Sequence, residues 1–249
     1  ENDQPQDFGA LQRRLGRKSP GRSLLAECPT ALVSYDILEA AGIDLRGQPL
    51  RQRRQQLEEM AQNWSGNLRL SATLTIEGWD ALERWRSQAR AHAAEGLMLK
   101  ALDSPYLEGR KRGHWWKHKL DPLSLDAVLL YAQAGSGRRA NLFTDYTFGL
   151  WNGEQPPQLV NFAKAYSGLN DQEINALDRW IRRNTLQRFG PVRSVKAEQV
   201  FEIGFEGIHA SSRHKSGIAV RFPRILRWRQ DKPADEADTL QTAEALLQR

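Results

Sequence analysis

Cysteine is almost absent: Cys28 is the one thiol in 249 residues. An intrachain disulfide is therefore excluded, as is any C-x-x-C or comparable zinc spacing. This usage fits a reducing, cytoplasmic setting. Methionine is nearly as scarce. The first of two is Met60, and the chain opens on Glu1, the pattern expected of a processed chain or of part of a longer protein. Long apolar runs are missing too. None approaches the ~20 residues that cross a bilayer, and no signal peptide is visible. No segment repeats. The opening Glu1-Asn2-Asp3-Gln4-Pro5-Gln6-Asp7 is polar and is expected to be disordered or a cut loop.

What is present is basic and able to build cores. Apolar residues make up 40% of the chain, eight residues are Trp, and the net charge is +6. That balance points to a polyanionic partner. Residues 30–38 read as a buried strand around Asp36, residues 50–64 as a helix, 68–76 as a half-exposed strand and 79–94 as a second helix. Short strands follow at 96–100 and 115–120. Asp121-Pro122 then breaks the chain, which sets a domain boundary between residues 1–120 and 121–249. Beyond it, strands are expected at 125–132, 144–151 and 159–166, a helix at 171–185 capped by Asn170 or Asp171, strands at 192–205 and 218–222, and a final amphipathic helix at 234–248. Three strands, a helix and further strands is the order of an OB-type barrel. The fold class expected is α+β.

The densest chemical signal lies near the C-terminus. From Arg213 to Lys232 there are seven Lys or Arg side chains and one acid, Asp231. Such crowding implies an anion that offsets the repulsion, polyphosphate or the DNA backbone. A second basic segment, Arg110-Lys111-Arg112-Gly113-His114-Trp115-Trp116-Lys117-His118-Lys119, holds five Lys or Arg interleaved with two Trp. Strand alternation puts Trp115, Lys117 and Lys119 on one face. Either it is an edge strand with solvated Lys, or two ammonium groups converge on one phosphate, whose charge would relieve their repulsion. Glu95-Gly96-Leu97-Met98-Leu99-Lys100 is either a solvated helix-to-strand corner or a carboxylate set to hold a divalent metal or a nucleotide sugar. Tyr35-Asp36 is either a core aromatic at a strand end or a ring that stacks on a purine.

The order of these segments is more specific than any one of them. An aromatic-Asp strand, E-G-x-M-x-K, W-x-K-x-K, and then R-F-P-R followed by R-x-D-K (Arg221 to Arg224 and Arg229 to Lys232) resembles the covalent nucleotidyltransferase superfamily. Within it the chain is similar to bacterial ATP-dependent DNA ligases of the cisplatin damage-response type, from about Phe8 to the C-terminus. The resemblance implies the C-terminal part of an adenylation domain over residues 1–120 and an OB-fold domain over 121–249. It implies nick sealing on double-stranded DNA with ATP and Mg2+ or Mn2+, by a bacterial, nucleoid-associated enzyme expected to be a monomer. By that resemblance Tyr35 stacks on adenine, Glu95 acts at the metal and ribose, Lys117 and Lys119 contact the α-phosphate, and Lys100 is a further phosphate contact. Arg224, Arg229, Asp231 and Lys232 close over ATP and orient its pyrophosphate. Arg110, Lys111, Arg112, Arg213 and Lys215 are assigned to DNA.

One family element is not found. The nucleophile of these enzymes is a lysine in K-x-D-G, and no such motif occurs in the 249 residues. An acidic motif that follows it is missing as well. The chain is thus expected to be a ligase portion, inactive alone in self-adenylation, with a marginally stable first half. Two rivals stand beside this reading: an RNA-directed relative, such as an RNA ligase or capping enzyme, and a non-catalytic OB-fold module that binds DNA.

Overall fold

The computed structural model describes residues 5–6, 8–137 and 140–247. The chain divides into two compact units, Glu1–Leu120 and Asp121–Arg249.

The first unit opens with two short helices, α1 (Phe8–Arg14) and α2 (Arg22–Glu27). Residues 1–4 and 7 of the segment expected to be disordered lie outside the described residues. Strand β1 (Leu32–Ser34) is followed by the small hairpin β2 (Glu39–Ala40) and β3 (Ile43–Asp44), helix α3 (Leu50–Ala61) and strand β4 (Leu68–Leu70). Helix α4 (Gly78–Ser87) leads to β5 (Gly96–Lys100) and β6 (Trp115–Lys119). The strand expected at 30–38 is shorter than its pattern suggested, and it is not buried. β1 pairs in parallel with β4 alone among the described residues, and Leu32 and Val33 are 68% and 51% exposed. Its partner ends at Leu70 rather than at residue 76. A small core of Ile37, Leu45 and Leu57 lies beneath α3.

That core is pinned by a charge. Arg53 of α3 is fully buried, and its guanidinium forks onto both carboxylate oxygens of Asp36 at 2.9 Å. It also donates to the carbonyls of Gln48 and, at 3.1 Å, Ser104. The five-donor fork of Arg suits this bidentate geometry, as a Lys would not.

The second unit is built on a long strand, β7 (Leu123–Ala134), followed by β8 (Phe143–Trp151), β9 (Leu159–Ala165) and helix α5 (Asp171–Arg183). After α5 come β10 (Thr185–Phe189), β11 (Val192–Val195), β12 (Val200–Phe205), β13 (Gly207–Ala210), β14 (Ile218–Arg221), β15 (Arg224–Trp228) and α6 (Leu240–Glu244). One seven-stranded sheet runs β10-β11-β7-β12-β15, with β8 on β7 and β9 on β8. Alternate residues of β7, β8 and β12, among them Leu129, Phe148, Phe201 and Ile203, form the core with Leu177 and Ile181 of α5. Asn170 and Glu173 cap α5 reciprocally.

Several sequence expectations are corrected here. The ladder does not close into a barrel among the described residues, although Ile225 N–H reaches Ser167 O at 2.9 Å just beyond β9. The strand expected at 192–205 is two strands separated by a loop at 196–199, and β10 joins β11 in a hairpin. The strand expected at 218–222 stops at Arg221, because Phe222 turns with φ of 52° and Pro223 follows. The tail is not one helix. Asp238 is held extended by hydrogen bonds to the backbone of Asp126, and α6 starts after Thr239, whose hydroxyl accepts from Thr242 N–H. Gln248, the expected end of that helix, lies outside the described residues.

Removing one partner of a buried pair leaves an uncompensated charge. Asp36→Ala is expected to destabilise the first unit by about 3–5 kcal/mol and to leave the second untouched. Urea unfolding followed by hydrogen exchange, resolved residue by residue, measures both.

Candidate functional site

In the first unit the candidate residues gather on one antiparallel ribbon. β5 and β6 pair with Gly96 opposite Lys119, Met98 opposite Lys117 and Lys100 opposite Trp115. Cross-strand partners share a face, so Lys100, Lys117 and Lys119 lie on the same side. Gly96 is required at its place: its φ is 142°, and a Cβ there would strike the backbone of His118 and Lys119. That close approach carries Glu95 to the end of the ribbon, where its carboxylate lies 3.3 Å from Lys119 Nζ. One charge that offsets Lys119 is therefore a carboxylate of the chain itself.

Tyr35 stands beside the same ribbon. Lys100 Nζ lies 4.3 Å from the Tyr35 ring centroid and 4.2 Å from that of Trp115. This cation–π seat is walled further by Tyr106, edge-on to Trp115 at 5.5 Å. Trp115 Nε1 is anchored on Ser104 Oγ at 3.2 Å. Burial holds the Lys100 ammonium below its ordinary pKa and pushes the Tyr35 hydroxyl up. On the other face His118 bonds Glu83 of α4 at 2.6 Å. Arg110, Lys111 and Arg112 are exposed in the loop that leads into β6.

In the second unit the cationic cluster is matched by acids drawn from other strands. Arg224 pairs with Glu206 at 2.8 Å and Arg227 with Glu202 at 3.5 Å. Arg229 donates to Asp126 at 2.8 Å and forks onto Asp231, and Lys232 reaches the same Asp126 oxygen at 2.8 Å. The other Asp126 oxygen, Oδ1, is buried with no hydrogen-bond partner among the described residues. The hydrogen bonds from Arg229 hold the Asp231 carboxyl down at about 2, and Asp231 in turn raises the guanidinium of Arg229. For Arg224, Arg227, Arg229 and Lys232 the crowding read from sequence is thus relieved inside the unit. Asp126, Glu202 and Glu206 were missed because isolated acids in apolar strands give no local sign of distant partners. Arg229 and Lys232 line a cavity of about 380 Å³ with Trp180, Arg183 and Trp228. Arg213 and Lys215 lie exposed in the loop between β13 and β14.

A family model of the ATP-dependent DNA ligase domain matches residues 1–119, and one of the ATP-dependent DNA ligase C-terminal region matches residues 139–232. The chain belongs to the ATP-dependent DNA ligase family. Tyr35, Glu95, Lys100, Lys117 and Lys119 fall within the first match, and Arg213 through Lys232 within the second. The chain is 37% identical to a "Probable DNA ligase" of Koribacter versatilis, an alignment covering 96% of this chain and 45% of that protein. It is 36% identical to a "Probable DNA ligase" of Opitutus terrae, covering 96% and 26%, and 32% identical to a DNA ligase of Halorubrum lacusprofundi, covering 97% and 39%. It therefore spans less than half of each. Among solved structures, one from a study of Lig E DNA ligases aligns with a TM-score of 0.55 at 21% identity, over 79% of this chain and 62% of that one. That likeness is one of fold. No described helix is long and apolar enough to cross a membrane, and no group of three or more metal-ligating side chains occurs among the described residues.

The Asp231 value sets a pH expectation. Because its folded pKa lies below the ordinary carboxylate range, the link to Arg229 contributes above the unfolded pKa, near 3.9, and is lost as pH falls through about 2. Carboxyl-carbon NMR should show Asp231 titrating near that value. Arg229→Gln should return it to the ordinary range.

Proposed function

We propose that this chain carries the phosphate-handling part of an ATP-dependent DNA ligase of the bacterial cisplatin damage-response type, which seals 3′-OH/5′-phosphate nicks in duplex DNA. The observation that carries the reading is the β5–β6 ribbon, where Lys100, Lys117 and Lys119 share a face, Glu95 sits at its end and Tyr35 beside it. Residues 1–120 are read as the C-terminal part of the adenylation domain and 121–249 as an OB-fold domain.

In this reading Tyr35 offers its ring to the adenine. Lys100 now covers that ring, so nucleotide entry moves its ammonium toward the phosphates. Lys117 and Lys119 hold the α-phosphate and offset the charge that develops as AMP is transferred. Glu95 is the carboxylate assigned to Mg2+ or Mn2+. A single carboxylate fits an ion that keeps water and phosphate oxygens in its shell, and such an ion supplies neutralisation of phosphate charge. Arg224, Arg229, Asp231 and Lys232 are assigned to the pyrophosphate. Arg110, Lys111, Arg112, Arg213 and Lys215 are assigned to the backbone of nicked DNA.

The 249 residues hold no K-x-D-G, so the reading gives this chain no lysine to carry AMP. A second reading, a DNA-binding OB-fold module without catalysis, is favoured by the internal pairing of Arg229 and Lys232 with Asp126. It requires DNA affinity that ignores ATP and survives Glu95→Ala.

Incubation with ATP and Mg2+ is expected to leave the intact mass unchanged, and a gain of one adenylate would overturn that part of the reading. A nick already carrying 5′-AMP needs no lysine nucleophile, because the 3′-hydroxyl attacks the 5′-phosphate and AMP leaves. The chain is expected to seal it, with a loss of about 100-fold or more in Lys117→Ala or Lys119→Ala. No sealing puts the binding module first, and sealing indifferent to both lysines overturns their assignment to the phosphate.

A further inference from the structure

We propose that the β10–β11 hairpin, with Arg188 and Arg193 beside Arg182 of α5, is an additional contact surface for the phosphodiester backbone of duplex DNA. The inference rests on the DNA-ligase reading and concerns residues outside the segments assigned above.

Arg188 and Arg193 are direct cross-strand partners. Two like charges so placed repel. The tight turn, with Gly190 at φ of 56° and Pro191 after it, keeps them in register. Arg193 donates to the carbonyls of Gly190 and Val192 at 2.6 and 3.1 Å, which leaves its charge without a carboxylate partner among the described residues. Arg188 makes no hydrogen bond or ion pair among the described residues. The contrast with β15 and the segment after it is direct, since Arg224, Arg227, Arg229 and Lys232 each meet an acid there.

The surplus charge borders a recess. Arg182 and Arg193 set their guanidinium carbons 5.4 and 5.7 Å from the centroid of the Phe143 ring, and both line a cavity of about 390 Å³. Arg182 is matched by Asp178 at 2.7 Å, so the uncompensated charges are those of Arg188 and Arg193. Guanidinium forks suit phosphate oxygens. The ring in the recess is 6% exposed and offers no stacking face to a base. That favours a polymer's backbone over a free nucleotide, and contact of this kind carries no sequence preference.

The test uses Arg188→Glu in the 249-residue chain, with fluorescence anisotropy on a labelled nicked duplex across a salt series. The new carboxylate should pair with Arg193, so thermal stability is expected to hold or rise while DNA affinity falls about tenfold. The slope of log K against log salt should shrink by about 1 to 2. Arg188→Gln, which removes one exposed charge, should give about half that change in slope. Arg213→Gln/Lys215→Gln serves as the comparison. Duplex binding by the parent chain with slopes unaltered in both Arg188 variants overturns this surface and leaves the ligase reading standing. A parent chain that binds no duplex at low salt overturns both.

Discussion

One guanidinium organises the first unit. Arg53 leaves helix α3 and enters the interior, where it joins Asp36, Gln48 and Ser104. Asp36 follows Tyr35 in sequence, so the fork fixes the backbone from which the Tyr35 ring projects. Ser104 passes the constraint on, because its hydroxyl receives Trp115 Nε1. Trp115 and Tyr35 then form the two walls between which Lys100 lies. A buried ion pair is weak evidence for net stability. Here its effect is positional: it holds three segments, far apart in sequence, in one arrangement.

The second unit handles charge by distribution. Each of four cations in β15 and the segment after it meets an acid from β7, β12, the residue after β12 or its own turn. Asp126 is the hub. Asp238 bonds its backbone on both sides, through Asp126 N–H at 2.7 Å and Asp126 O at 2.9 Å. The carboxylate is thereby held still while Arg229 and Lys232 share one of its oxygens. Any anion that reached these cations would have to compete with a fixed, partly desolvated carboxylate.

Much of this was legible locally. The two strands β5 and β6 were expected from their local pattern, whereas the pairing that gathers Glu95, Lys100, Lys117 and Lys119 came from the structure. Asn170, one of the two caps expected from sequence, opens α5. What was not legible depends on long range. Arg53 in the first turn of a helix reads as a solvated cation, and nothing nearby in sequence marks it as buried. β15 was not expected as a strand, because Arg224 and Arg227 interrupt its apolar pattern. Their partners Glu206 and Glu202, and Asp126 for Arg229, lie 18, 25 and 103 residues away. Periodicity also mistook β1 for a buried strand. An apolar run shows a preference for burial, but burial also needs a neighbour to supply cover.

That last point explains why the polar pin in the first unit cannot be exchanged for an apolar one. Parallel pairs are stable when both faces are covered, yet Leu32 and Val33 of β1 stand 68% and 51% exposed. The buried cluster of Ile37, Leu45 and Leu57 is small. At roughly 1.5–3 kcal/mol for each fully buried side chain, it leaves little margin against the entropy of ordering the strand, the hairpin and the helix. A leucine at position 53 would add apolar area but strand the Asp36 carboxylate and free the carbonyls of Gln48 and Ser104. Those groups would then seek water, and the backbone on both sides of the Lys100 seat would follow them outward. In this unit the geometry of the β5–β6 ribbon is therefore a consequence of one buried charge pair more than of hydrophobic packing.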